Sequence, residues 1–124
     1  MPRALIIEDT PDNMRLICFI LNKNGIDTIE AETGQKGIEL ALAKPRPDFI
    51  ILDIQLPDIE GTEVLKIIRN SEVNGSIPII AMTSYAMSGD RDRLLADGCN
   101  GYIEKPIDPM TVMDQLREVI GEAS

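Results

Sequence analysis

Short apolar runs recur along the chain, and each gives way to polar residues. Ala4-Leu5-Ile6-Ile7 runs into Glu8-Asp9, and Phe49-Ile50-Ile51-Leu52 runs into Asp53. Ile77-Pro78-Ile79-Ile80-Ala81-Met82 ends at Thr83-Ser84, and Asn100-Gly101-Tyr102-Ile103-Glu104 leads to Lys105-Pro106. Wholly apolar runs bounded by turn signals predict strands buried on both faces. Asp27 to Ala31 is a weaker strand. Between the strands the period changes to that of a helix. Pro11 suits a helix's first turn, and Asp12 to Asn24 carries Met14, Ile17, Cys18 and Leu21 at helical spacing, with Gly25 as a C-terminal cap. Gly34 to Ala43 predicts a second helix packed by Ile38, Ala41 and Leu42. A third begins at Glu60 or Gly61 with Val64, Leu65, Ile67 and Ile68 on its buried side. A polar turn over 70–76 precedes the fourth strand. Tyr85 to Asp97 predicts a fourth helix with few apolar residues, chiefly Met87, Leu94 and Leu95. Asp108 and Pro109 open a last one, with Val112, Met113, Leu116, Val119 and Ile120 on its inner face.

Strands and helices thus alternate five times. Repeated strand–helix units give an α/β fold, a doubly wound five-stranded parallel sheet with five helices on both faces. A length of 124 residues suits a single domain spanning 1–124, and no output domain is expected.

Composition narrows the function. A net charge of −9 repels phosphate backbones and anionic lipid, so neither nucleic acid nor membrane is the expected partner. No apolar run approaches the roughly 18 residues that span a bilayer, and the N-terminal apolar stretch is too short for a signal peptide. A cytoplasmic location is expected. Cys18 and Cys99 have no metal-ligand spacing, and Cys18 reads as a small core residue. The chain contains no histidine, which removes Ser-His and Cys-His catalysis and most zinc sites.

The candidate chemistry lies at the ends of the strands. Glu8, Asp9, Asp53, Thr83 and Lys105 each follow or end a strand, and parallel strands bring such residues to one edge. In an open α/β sheet that edge is the ligand site. In the flavodoxin-like strand order 2-1-3-4-5 the first and third strands are neighbours, so Glu8, Asp9 and Asp53 converge. Two like charges ~4 Å apart repel by about 4 kcal/mol at an effective dielectric of 20. An all-oxygen cluster therefore calls for a hard cation, Mg²⁺ or Mn²⁺. Lys105 adds an ammonium and Thr83 a hydroxyl. Taken singly, each residue is a common cap or a solvated charge. Taken together they suit an aspartyl phosphate.

These blocks resemble the receiver domain of two-component response regulators, in order and in spacing, over essentially the whole chain. The resemblance rests on Leu5–Asp9, Ile51–Pro57, Ile79–Ser84 and Gly101–Pro106. It implies that Asp53 is the phosphoacceptor, that Glu8, Asp9, Asp53 and the Gln55 backbone carbonyl hold the metal, and that Thr83 and Lys105 contact the phosphoryl group. It also implies a cis peptide at Lys105-Pro106 and a switch aromatic at Tyr102 that moves with Thr83. Glu8 stands where many members carry Asp, which keeps the carboxylate; Cys99 stands where Ala is common. The implied donor is a histidine kinase or histidine phosphotransfer protein. The implied downstream partner binds the face of the fourth helix, fifth strand and fifth helix. The domain would be a signalling switch rather than an enzyme, assisting its own phosphorylation and dephosphorylation.

Three other functions fit less well. An interaction module without phosphate turnover would not need Asp53 and Lys105, and both are present. An aspartate-nucleophile phosphatase of the haloacid dehalogenase type wants an acid two residues after the nucleophile, where Gln55 stands. A flavin module needs a phosphate-cradling loop after the first strand, and Glu8-Asp9-Thr10-Pro11-Asp12 would repel a phosphate.

Overall fold

The computed structural model describes the backbone of residues 2–71, 77–84 and 88–120 and the side chains of 2–71, 77–84 and 92–120. The elements alternate as β1 (Arg3–Ile7), α1 (Pro11–Lys23), β2 (Asp27–Ala31), α2 (Gly34–Leu42), β3 (Phe49–Asp53), α3 (Gly61–Arg69), β4 (Ile79–Thr83), α4 (Ser88–Ala96), β5 (Gly101–Glu104) and α5 (Val112–Ile120). The sheet order is β2-β1-β3-β4-β5, and every pair is parallel.

The pleat divides each strand between two cores. Ala4, Ile6, Ile51, Ile80 and Met82 pack beneath α1 and α5, against Ile17, Leu21, Val112 and Leu116. Leu5, Ile7, Ile50, Leu52, Ile79 and Ala81 face α2, α3 and α4, against Ala41, Val64, Leu65, Ile68 and Leu94. Every residue of β3 and β4 is buried, as their unbroken apolar runs predict. Cys18 and Cys99 are both buried and free, and Cys18 lies in the first core.

Several helix faces differ from the periodic reading. On α2 the stripe Gly34, Gly37 and Ala41 faces inward, with Ile38 packed at its side, while Leu42 is exposed. The small residues let the helix axis sit close to the sheet, with Gly37 directly on Ile7. On α3, Ile67 is more than one-third exposed (37%), because Val64, Leu65 and Ile68 already complete the i, i+1, i+4 face. Helix α5 starts at Val112 rather than at Asp108. Residues 108–111 instead form a turn in which the Asp108 carbonyl accepts from Thr111 and Val112 N–H, and its side chain accepts from Met110 N–H at 2.9 Å. On α4, Leu94 is buried and Leu95 is exposed; Tyr85, Met87 and most of the predicted turn before β4 lie outside the described residues.

The β3–α3 connection folds back on itself. Gly61 N–H donates to the Ile54 carbonyl at 2.9 Å, and a Cβ at position 61 would meet Ile54 Cα and stand 2.7 Å from the Asp53 carbonyl oxygen. Those contacts are backbone and cannot swing aside. Helix propensity alone would favour Ala over Gly here by about 1 kcal/mol, yet overpacking costs about 1–3 kcal/mol. Gly61→Ala is therefore expected to lower stability in urea unfolding; a stabilised variant would show that the loop yields freely.

Candidate functional site

Strand register builds the site. Ile7 pairs with Leu52, so Glu8 and Asp53 lie side by side, one residue beyond that pair. Glu8 N–H extends the ladder by donating to the Ala31 carbonyl at 3.0 Å. Asp53 pairs with Met82, which brings Thr83 alongside, and Lys105 N–H donates to the Thr83 carbonyl at 2.9 Å. One oxygen each of Glu8, Asp9 and Asp53 fall within 4.8 Å of one another. Glu8, Asp53 and Thr83 are buried, whereas Asp9 is exposed at the mouth.

Lys105 reaches into this cluster. Its Nζ lies 3.2 Å from Glu8 Oε2 and 3.2 Å from Asp53 Oδ2, with its side chain only 12% exposed. The Lys105–Pro106 peptide is cis, as is Lys44–Pro45. Asp53 Oδ1 accepts from Gln55 N–H at 2.9 Å, and Glu8 Oε1 accepts from Thr10 N–H at 3.1 Å. Glu8 Oε2 is buried and has ion-pair distance to Lys105 but no hydrogen bond of good geometry among the described residues. Burial raises the Asp53 carboxyl above its ordinary range; the Gln55 N–H opposes the rise, Glu8's charge adds to it, and Lys105 opposes it. Burial also raises Asp9, and its hydrogen bond with the Asp53 carboxyl acts in the same sense. With all three acids ionised, one ammonium leaves the cluster with two negative charges uncompensated.

This donor set fits a hard divalent cation. Its ligands are oxygens alone, one buried carboxylate oxygen lacks a well-formed hydrogen bond among the described residues, and the excess charge is negative. The described residues contain no second cluster of three acidic, histidine or cysteine ligands.

Thr83 and Tyr102 share a sheet face. Ala81 pairs with Tyr102 and Thr83 with Glu104, so Tyr102 is a diagonal neighbour of Thr83. Both lie on the α3/α4 side, where Tyr102 packs half-buried against the second core.

Sequence reading missed Asp58. Its carboxylate crosses to α2 and accepts from Gly34 N–H at 2.8 Å and Gln35 N–H at 3.0 Å. Those N–H groups hold it below the ordinary carboxylate range. An Asp after a Pro in a loop reads as a local turn, and nothing in the sequence marks a cap 24 residues away. Arg69 was also missed. It bonds the Gly98 and Ile77 carbonyls at 2.8 and 2.6 Å and Asn100 Oδ1 at 2.5 Å, tying α3 to β4 and to the turn after α4 at the far edge of the sheet.

Residues 4–117 match the family model of the response regulator receiver domain. The chain is 37% identical over 124 residues to the polar-differentiation response regulator DivK of Brucella anthropi, covering 99% of this chain and 100% of that protein. Among solved structures it resembles the receiver domain of the sensor histidine kinase PA1611 from Pseudomonas aeruginosa, with a TM-score of 0.87, 31% identity and coverage of 98% of each chain. That structure holds a magnesium ion coordinated in its active-site cleft. The chemotaxis response regulator CheY4 of Vibrio cholerae superposes with a TM-score of 0.90 at 26% identity, covering 96% of this chain and 98% of that one. With its fold, its acidic edge and these matches in agreement, the chain belongs to the response regulator receiver family, the phosphorylation-dependent switches of two-component signalling.

Proposed function

We propose that Asp53 is the phosphoacceptor and that Glu8, Asp9, Asp53 and the Gln55 carbonyl hold Mg²⁺ beside it. The observation that carries this assignment is a buried Asp53 with Oδ1 fixed by Gln55 N–H and Oδ2 facing an ammonium at 3.2 Å. The donor is a phosphohistidine on a histidine kinase or phosphotransfer protein. An Asp53 carboxylate oxygen attacks phosphorus, the P–N bond breaks, and its electron pair leaves on the imidazole nitrogen. When bound, Mg²⁺ supplies positive charge opposite the carboxylates and the incoming phosphoryl oxygens. Lys105 then exchanges part of its contact with Asp53 for a phosphoryl oxygen, and Thr83 donates its hydroxyl to another. The chain is a switch in this reading, assisting its own phosphorylation and dephosphorylation rather than turning over a substrate. The match to DivK runs over 99% of this chain and 100% of that protein, which supports reading residues 1–124 as one receiver domain. No helix among the described residues is long and apolar enough to cross a membrane.

The output face is α4, β5 and α5. A hollow of about 380 Å³ lies there, lined by Leu95, Tyr102, Glu104, Gln115 and Val119 among others. Tyr102 sits both in that hollow and diagonal to Thr83. Inward movement of the Thr83 hydroxyl would free space for its ring and reshape the hollow that a partner reads.

Intact mass after incubation with acetyl phosphate and Mg²⁺ is the direct test. The wild type should gain one phosphoryl group, and Asp53→Asn should gain none. Labelling of that variant at the wild-type level would remove Asp53 from the role.

The cluster also makes a prediction for stability. Ionised Asp53 costs the fold stability once pH rises through its elevated folded pKa, and the cost is absent below its ordinary value of 3.8. In EDTA near neutral pH, Asp53→Asn should therefore melt higher than wild type. The expected gain is about 1–2 kcal/mol after solvent screening of the pairwise repulsion. The gain should shrink toward zero as pH falls to about 4. Lys105→Met should do the reverse in EDTA, losing about 2 kcal/mol as the acids lose their counter-charge, and Mg²⁺ should restore part of that loss. Thermal melts of the three proteins with EDTA and with Mg²⁺ measure both effects; an Asn variant less stable than wild type in EDTA at pH 7 would contradict the repulsion.

A further inference from the structure

The β3–α3 loop carries the Gln55 carbonyl; it leaves β3 with Ile54 N–H on the Met82 carbonyl at 3.0 Å and Gln55 N–H on Asp53 Oδ1 at 2.9 Å, and it is held at two further places. At its base, Gly61 N–H closes onto the Ile54 carbonyl. At its outer end, Asp58 grips the first turn of α2 through Gly34 and Gln35 N–H. The second grip is close in space as well as in hydrogen bonding. A Cβ at position 34 would stand 3.0 Å from Val64 Cγ2, 3.1 Å from Ile59 Cβ and 3.4 Å from Asp58 Oδ1. The first turn of α2 therefore lies directly on the loop and on α3.

Four amides at a helix start need outside partners. Here Asp58 takes those of Gly34 and Gln35 and Thr33 Oγ1 takes that of Lys36 at 3.1 Å, after which the Thr33 carbonyl accepts the first intrahelical bond, from Gly37 N–H at 3.0 Å. Helix α2 has no acid in its own first turn, so the negative charge its dipole favours comes from Asp58. The β2–α2 corner that leads into this turn is fixed in turn to β1, because the Ala31 carbonyl accepts from Glu8 N–H. Asp58 thus links the segment bearing Gln55 to the segment bearing Glu8 and Asp9.

We infer that Asp58 is a positioning residue for the divalent cation: by capping α2 it holds the Gln55 carbonyl in register with the carboxylates of β1. Its own carboxylate serves the α2 amides and needs no contact with the ion. This rests on the assignment of Glu8, Asp9, Asp53 and Gln55 as the cation site. Loss of such supporting contacts around a metal site costs on the order of tenfold in affinity. Thr33 provides the control. It caps the same helix and, among the described residues, makes no hydrogen bond to the loop, so it separates loss of helix stability from loss of loop position.

Calorimetric titration of Mg²⁺ into wild type, Asp53→Asn, Asp58→Ala, Asp58→Asn and Thr33→Ala, with thermal melts of each, tests the inference. Asp58→Ala should bind Mg²⁺ about tenfold more weakly than wild type. Asp58→Asn keeps one acceptor for Gly34 N–H but turns an amide toward Gln35 N–H, and should fall between them. Thr33→Ala should melt lower than wild type and keep the wild-type Mg²⁺ affinity. In acetyl phosphate labelling, Asp58→Ala should need more Mg²⁺ to reach half its maximal rate and then reach the wild-type maximum. A wild-type Mg²⁺ affinity in Asp58→Ala, or an equal loss in Thr33→Ala, would reduce Asp58 to an ordinary helix cap. Should Asp58→Ala fail to fold, the same comparison is made with Asp58→Asn. Unchanged Mg²⁺ binding in Asp53→Asn would instead show that the cation site lies elsewhere, and the role of Asp58 would fall with it.

Discussion

Everything at the active edge is arranged around carboxylates that repel one another. Glu8, Asp9 and Asp53 have oxygens within 4.8 Å, and two of the three residues are buried. Left to themselves these groups would splay apart into solvent. They stay because β1 and β3 are neighbours whose side chains are buried on both faces, and burial of each large aliphatic side chain contributes about 1.5–3 kcal/mol. Leu5, Ile6, Ile7, Ile50, Ile51 and Leu52 thereby outweigh a local repulsion of a few kcal/mol. The site is strained electrostatically and rigid mechanically. Both properties come from the same strands.

Lys105 is the counterweight, and its chemical type matters. An arginine fork would tend to lock onto one carboxylate in a bidentate pair. The ammonium of Lys105 is compact, carries three donors and sits on a flexible stem, so it can sit 3.2 Å from both Glu8 and Asp53. It neutralises only one of three charges. The remaining negative charge suits a hard divalent cation. A fully neutralised cluster would be more stable and less responsive.

Strand placement was legible because each strand is a short apolar run with polar punctuation. The convergence of Glu8, Asp9 and Asp53 followed from topology alone, since consecutive strand–helix units leave few ways to order a parallel sheet. The ion pairs of Lys105 were less legible. Its position was visible, but its reach to Glu8 and Asp53 is a side-chain contact between distant segments that no period marks. Helix faces were misread where packing uses small residues. Leu42 looks like a core residue by period, yet the stripe Gly34, Gly37 and Ala41 takes the inner side. A hydrophobicity pattern counts side chains and is blind to a helix that approaches through having almost none. The caps and clamps between distant segments, such as Asp58 on α2 and Arg69 on Gly98, Ile77 and Asn100, carry no periodic signal at all.

The two ends of the sheet are held in different ways, and the difference has a consequence for switching. At the amino-terminal edge, Arg69 bonds the start of β4 and the turn between α4 and β5, while Asn100 Oδ1 also accepts from Ile79 N–H at 2.8 Å. At the carboxyl edge, Thr83 and Lys105 are tied to each other through the backbone and face a charge balance that ligand binding alters. A perturbation at Asp53 therefore meets resistance at one end of β4 and β5 and a responsive group at the other. Thr83 and Tyr102 share a face on that side, next to α4, whose side chains in the described part include one buried leucine and one exposed one. A uniformly bonded sheet would spread the same perturbation over all five strands and deliver little of it to any one surface.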